Sequence, residues 1–203
     1  MVVFTIAFTA LMSQTYRMTR PQIEASAQDE KMRLINDVLP PGTYDNVLLD
    51  DFVAVGPIPQ LGLDQGARIY RARLADAPVA LVLEAAAPDG YAGKIQLVIA
   101  VNADGRLGGV RVTGHKETPG LGDYIDPKKD RNKSQPWIDQ FTGVSLADVG
   151  PAQWKVKRDS GLFGYRVGAT ISARAVTNAT GRALEYATAN RDALFGAPNG
   201  GRI

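Results

Sequence analysis

The chain has no cysteine and one histidine, His115. The first absence excludes a disulfide framework, cysteinyl iron–sulfur ligation and thiol chemistry. It says little about compartment. The second excludes a His-cluster metal site and leaves His115 as the only histidine for a Ser-His-Asp triad. Charge is nearly balanced, 23 basic against 21 acidic residues for a net +2. That is too little to point to nucleic acid, and no Lys/Arg run is interleaved with aromatics. Lys128 to Lys133 is a basic cluster that reads as a solvated loop. No G-x-G-x-x-G follows a strand pattern, so nothing supports a dinucleotide fold. Internal repeats, coiled-coil heptads and low-complexity tracts are missing too.

What is present fits one folded domain with an appendage, since 203 residues at 45% hydrophobic content can bury a core. Met1 to Met12 is apolar and uncharged. As a helix it spans only about 18 Å, against roughly 30 Å for a hydrocarbon core. It reads as a signal peptide, a buried helix, or a membrane helix whose first turns lie upstream. The signal-peptide reading lacks a basic start and a small-residue cleavage site. Arg17 and Arg20 follow the segment, which on charge alone puts the body in the cytoplasm. Thr19 to Leu39 predicts an amphipathic helix, with Thr19 as cap, Pro21 in the first turn and Pro40-Pro41-Gly42 as its end. Asp45 to Leu63 reads as loop.

Four strands are predicted. Arg68 to Leu74 puts Tyr70, Ala72 and Leu74 on one face. Val79 to Glu84 is a short apolar run. Lys94 to Asn102 alternates Ile95, Leu97, Ile99 and Val101, and returns through Asn102-Ala103-Asp104-Gly105 to Leu107–Thr113 as a hairpin. Pro88 to Gly93 is a Gly-rich turn. Pro136 to Phe141 predicts a short helical turn whose Trp137 and Phe141 are core rather than ligand-stacking residues. Trp154 to Arg158 predicts a strand. The last helix runs from about Ile171 to Leu194, with Val176, Ala179, Ala183, Tyr186 and Ala187 as its apolar stripe.

Two stretches carry chemistry. Gly168-Ala169-Thr170 opens the last helix, where backbone freedom at Gly168, a small Ala169 and a hydroxyl at the helix N-terminus favour an anion. Alone, such a threonine is usually just a cap. Glu117-Thr118-Pro119-Gly120-Leu121-Gly122 is a compact loop after a strand, on a rigid support. Its glycines let backbone N–H groups approach a ligand, Thr118 adds a hydroxyl, and Leu121 can pack on a ring. His115 reads as a loop histidine without chemical role, Glu117 as a structural hydrogen-bonding group, and Ser172 as a first-turn helix residue.

With Gly90-Tyr91-Ala92-Gly93, these stretches resemble the FMN-binding domain of the G subunit of the Rnf electron-transport complex, shared with the C subunit of the sodium-pumping NADH:quinone reductase. The resemblance covers nearly the whole chain. It implies an α+β fold: one FMN-binding domain with a mainly antiparallel twisted sheet flanked by helices, after an N-terminal transmembrane helix. The implied parts are a membrane helix over 1–18, a connecting amphipathic helix over 19–43 and the FMN-binding domain over 44–203. In the family the flavin is joined by a phosphoester bond to the last Thr of Ser/Thr-Gly-Ala-Thr, which is Thr170 here. The family's Ser/Thr before the glycine is Val167 in this chain, and its Asp three residues earlier is Gly164. Gly168, Ala169, Glu117, Thr118, Gly120, Leu121, Gly122 and Tyr91 are the further cofactor-binding candidates, with no catalytic residue and no metal ligand.

The function implied is electron relay through covalent FMN in a membrane-bound, ion-translocating complex of the ferredoxin:NAD oxidoreductase type, rather than a stand-alone enzyme. Implied partners are the other membrane subunits, including a second flavin-carrying one, a flavin transferase for maturation, and the lipid bilayer. The implied location is the bacterial inner membrane, single-pass, with the FMN domain on the periplasmic side. Alternatives are the quinone-reductase C subunit, a flavin-free scaffold, and a soluble flavin reductase.

Overall fold

The structure, a computed structural model, describes residues 2–203. Met1, with which the apolar segment begins, lies outside them. The chain divides into two units, Met1–Leu34 and Ile35–Ile203.

In the first unit one helix, α1 (Val2–Asn36), runs through the place where Thr19 and Pro21 predict a new start. The Thr19 hydroxyl does not cap. It donates back to the Thr15 carbonyl at 2.9 Å, one turn earlier. Phe4, Ile6, Phe8, Leu11 and Met12 are all more than half exposed on this helix. Among the described residues no helix is long and apolar enough to cross a membrane.

The second unit is built on an antiparallel sheet in sequence order: β1 (Phe52–Val55), β2 (Ala67–Leu74), β3 (Ala77–Ala87), β4 (Ile95–Asn102) and β5 (Leu107–Gly114). The alternation in β4 points Leu97, Ile99 and Val101 into the main core, where Leu81, Leu83, Val110 and Val112 join them. The central strand β3 is apolar on both faces because both are covered. Residues from the segment 35–48 cover the second face: Ile35, Val38, Leu39 and Leu48 are buried, and a Cβ on Gly109 would sit 2.9 Å from the Val38 Cα.

The other face takes the long helix α3 (Thr170–Ala189). Its stripe is made of small residues, Ala173, Val176, Ala179, Ala183 and Ala187, all at most 1% exposed. The expected helix to Leu194 breaks at Asn190 and resumes as the short α4 (Arg191–Gly196), while the four-residue α2 (Leu146–Val149) opens with a Ser145–Asp148 capping box. The Asn190 side chain donates to the Tyr186 carbonyl at 2.8 Å, taking an acceptor at the helix end.

Three local expectations fail. β1 lies inside the stretch read as loop. The predicted strand Trp154–Arg158 is instead a pair of 3₁₀ turns, Pro151–Gln153 and Lys157–Asp159, around one bridge from Val156 to Phe163. Leu74 does not share the burial of Tyr70 and Ala72 and is 48% exposed, because the register shifts between Ala72 and Arg73 and Leu74 ends β2 at the Ala75-Asp76 turn.

Candidate functional site

Three segments meet at the N-terminus of α3. The first is the turn between β3 and β4, at Gly90–Gly93. The second is the loop after β5. The third is the approach to α3, Leu162 to Ala169.

Glu117, in the second segment, joins the first to the opening turn of α3. It is 4% exposed, its Oε1 accepts the Ala92 N–H at 3.0 Å, and its Oε2 accepts the Ser172 hydroxyl. Ser172, itself 1% exposed, sits in the first turn of α3. Gly122 lets the loop lie against the helix: a Cβ there would come within 2.6 Å of Ser172 Oγ and 2.9 Å of Glu117 Oε2. The backbone N–H groups of Gly120, Leu121 and Gly122 are spent within this loop. Gly120 N–H donates to Asp123 at 2.9 Å, and Leu121 and Gly122 donate to the Thr118 carbonyl at 3.1 Å. They are therefore not the free donors that the glycine pattern suggests. His115 acts inside the loop as well, its Nδ1 accepting the Glu117 N–H at 3.1 Å.

The residue capping α3 is Ala169, which has no side-chain oxygen to offer, so the first-turn N–H groups have no side-chain acceptor. Thr170 is the first helical residue, not the cap, and is partly exposed. Gly168 takes φ +91°, a conformation that favours glycine, and a Cβ on it would point at Leu121 Cδ2, 3.9 Å away.

These segments enclose a cavity of about 600 Å³. That is in the range of small-molecule and cofactor sites, roughly 300–1,000 Å³. Of the nine residues singled out from the sequence, eight line it: Tyr91, Glu117, Thr118, Leu121, Gly122, Gly168, Ala169 and Thr170. Gly120 does not. It holds the loop's turn at φ +76° with open space beside it.

Sequence reasoning missed the cations. Arg158 and Arg174 also line the cavity. Arg174 is four residues beyond Thr170 on α3, a spacing that puts both on one helix face and was available as a signal. It pairs with Asp159 through two bonds, 2.6 and 2.8 Å. That hydrogen bonding holds the Asp159 carboxyl below its ordinary range and raises the Arg174 guanidinium. Arg158 lies in the irregular turn before Ser160-Gly161, at the end of the segment read as a strand; it is exposed, and no ion pair to it occurs among the described residues.

Donors at an uncapped helix start, two guanidinium groups and a free hydroxyl, together with exposed Tyr91 and Leu121, suit a ligand with an anionic end and a flat apolar end. Residues 90–185, which include the whole lining, match the FMN-binding domain family, and residues 1–38 match the RnfG N-terminal region. The curated G subunit of the ion-translocating oxidoreductase complex of Pseudomonas aeruginosa is 43% identical over 192 residues, covering 95% of this chain and 87% of that protein.

The chain belongs to the family of the ion-translocating oxidoreductase complex G subunit.

The corresponding G subunits of Pseudoalteromonas atlantica (40% identity, covering 97% of this chain and 89% of that one) and Vibrio atlanticus (36%, covering 98% and 92%) agree. Among solved structures, Shewanella oneidensis NqrC aligns at 21% identity and TM-score 0.45 over 64% of this chain and 62% of that one, a likeness too weak to bear weight. Membership in this family accounts for the two parts of the chain together, since separate family models match its N-terminal region and its cavity-bearing region.

Proposed function

We propose that this chain is the FMN-carrying G subunit of a membrane-bound, ion-translocating electron-transport complex of the ferredoxin:NAD oxidoreductase type, and that FMN is joined by a phosphoester bond to Thr170. The observation that carries the reading is the Thr170 hydroxyl at an uncapped helix start, lining a cavity that Glu117, Thr118, Leu121 and Gly122 of the neighbouring loop also line. Bound FMN would supply the one-electron redox chemistry of the relay.

The residues then divide the work. Thr170 holds the phosphoryl group, and the first-turn N–H groups of α3 stabilise its remaining charge by a few tenths to about 1 kcal/mol. Arg158 adds a cation at the same end. Leu121 and Tyr91 hold the ring, and Glu117 keeps the two walls of the cavity together. Covalent attachment suits a carrier outside the cytoplasm, which cannot recapture lost FMN, and it fixes the distance to neighbouring redox centres.

The apolar start of α1, with Phe4, Phe8 and Leu11 exposed, supports a single membrane anchor, and the family resemblance supports an FMN domain on the periplasmic side of the inner membrane. The partners in this reading are the other Rnf-type subunits, one of them also carrying flavin, and a flavin transferase that matures the chain. The test is flavin fluorescence of the denatured protein in a gel, after expression in a host that flavinylates. A fluorescent wild-type band and a dark Thr170→Ala band are expected. Fluorescence in the Thr170→Ala band would sink the assignment, and a dark wild type would favour a flavin-free scaffold.

A further inference from the structure

The turn Arg166–Ala169 leads into α3, and of its side chains only that of Arg166 is held by a partner. Arg166 O accepts the Ala169 N–H at 3.1 Å, Gly168 has a positive φ, and Val167 is 88% exposed with no polar side-chain atom. One hydroxyl bridges the backbone at the two ends of the turn. Tyr124 Oη accepts the Arg166 N–H at 3.1 Å and donates to the Ala169 carbonyl at 3.3 Å, so it spans both ends of the turn. Ala169 is joined directly to Thr170.

Tyr124 is itself fixed. It is 2% exposed and sits in the 3₁₀ turn Gly122–Ile125, immediately after the Glu117–Gly122 loop. The Arg166 guanidinium lies 4.7 Å above its ring and pairs with Asp130, which is fully buried. Asp130 also accepts the N–H groups of Trp137 at 2.7 Å and Asn132 at 2.9 Å. Trp137 meets the Tyr124 ring edge-on at 5.4 Å and donates its indole N–H to the Gly164 carbonyl at 2.7 Å. Burial pushes the Tyr124 hydroxyl up, so it stays protonated and able to donate across the ordinary pH range.

We propose that Tyr124, locked by the Arg166–Asp130 pair, is a positioning residue for flavin attachment: it sets the Ala169 carbonyl and thereby aims the Thr170 hydroxyl at the incoming phosphoryl group. This rests on Thr170 being the attachment site. A phosphoester cannot form favourably from the free monophosphate, so the donor must be a flavin nucleotide anhydride. With flavin adenine dinucleotide, the Thr170 Oγ–P bond forms as the anhydride P–O bond breaks. Adenosine monophosphate leaves, the hydroxyl proton passes to solvent, and nothing is oxidised or reduced.

The experiment follows covalent mass gain of the flavin-free full chain incubated with flavin adenine dinucleotide and a flavin transferase. Tyr124→Phe keeps the ring and its packing but removes both bonds. It is expected to slow labelling roughly tenfold or more at saturating donor, the scale on which small misplacements act. The donor concentration for half-maximal rate should stay near wild type; the Tm of the flavin-free chain falls by some degrees, because the buried Ala169 carbonyl and the Arg166 N–H lose their partner, so labelling is followed well below it. Arg166→Gln releases the lock without touching the hydroxyl and should slow labelling several-fold in the same direction. It also keeps the test open if Tyr124→Phe folds poorly. Wild-type rates in either folded variant would overturn the proposal. Thr170→Ala run alongside separates the two ideas: labelling there means that the attachment site itself is wrong, whereas an unlabelled Thr170→Ala beside a fast Tyr124→Phe removes only the positioning role.

Discussion

Glu117 is the hinge of the site, and its replacement has a cost that the geometry fixes. Glu117→Ala removes two accepted hydrogen bonds, and their donors differ in what happens next. Ala92 is exposed, so its N–H rehydrates and only the net bond is lost, about 1 kcal/mol. Ser172 is 1% exposed, so its hydroxyl loses its partner away from water, at about 1–3 kcal/mol. The sum is about 2–4 kcal/mol. For a body the size of Ile35–Ile203, each kcal/mol moves Tm by about 2–4 °C, so a drop between about 4 and 16 °C is expected.

Glu117→Gln is the matched control. Its amide oxygen still accepts from Ala92, and its amide N–H can donate to Ser172 Oγ if the hydroxyl hydrogen turns away. The expected cost is below about 1 kcal/mol. Thermal unfolding of the flavin-free full chain is the assay, because bound ligand adds a concentration-dependent stabilisation of its own. A Glu117→Ala chain within about 0.5 kcal/mol of wild type would refute the view that this carboxylate holds the cavity walls together, since changes that small are typical of featureless surface sites. Equal losses for Gln and Ala would show that the oxygen bonded to Ser172 must be an acceptor.

The sheet was legible where its pattern is local. The β4–β5 hairpin follows from period-two alternation and turn residues at 102–105, and it carries the Glu117–Gly122 loop at its end. β1 was not legible, because four residues give little pattern and its outer edge is met by the far C-terminus through an Ala54–Arg202 bridge. The two-residue turn between β2 and β3 also escaped detection. Ala75 and Asp76 both take positive φ, and neither is glycine. At the site, the two motifs marked both walls of the cavity, because turn glycines and a helix-start hydroxyl leave a trace in sequence. What ties the walls together did not show. Glu117–Ser172 and Tyr124–Ala169 are contacts across 55 and 45 residues, set by tertiary packing alone.

The membrane reading predicts that the chain fractionates with membranes and that protease added to intact spheroplasts digests the body beyond about Arg20; full protection would instead support the cytoplasmic orientation that Arg17 and Arg20 suggest. The last prediction concerns pH. Burial alone would raise the Asp130 carboxyl, but the Trp137 and Asn132 N–H groups and the Arg166 guanidinium more than offset it, so its pKa in the folded protein lies below the ordinary 3.8. A carboxyl depressed by folding binds its proton more readily when unfolded. Its stabilisation is therefore complete above the ordinary carboxylate value and is lost as pH falls through the lowered one. Asp130→Asn removes that charge at every pH. Denaturant unfolding should find the variant less stable than wild type at pH 7, with the gap narrowing below about pH 4 as the wild-type carboxyl takes up its proton. A gap that stays constant from pH 7 to pH 2 would mean that Asp130 holds the loop through shape and neutral hydrogen bonds, and that the Arg166 charge contributes nothing to it.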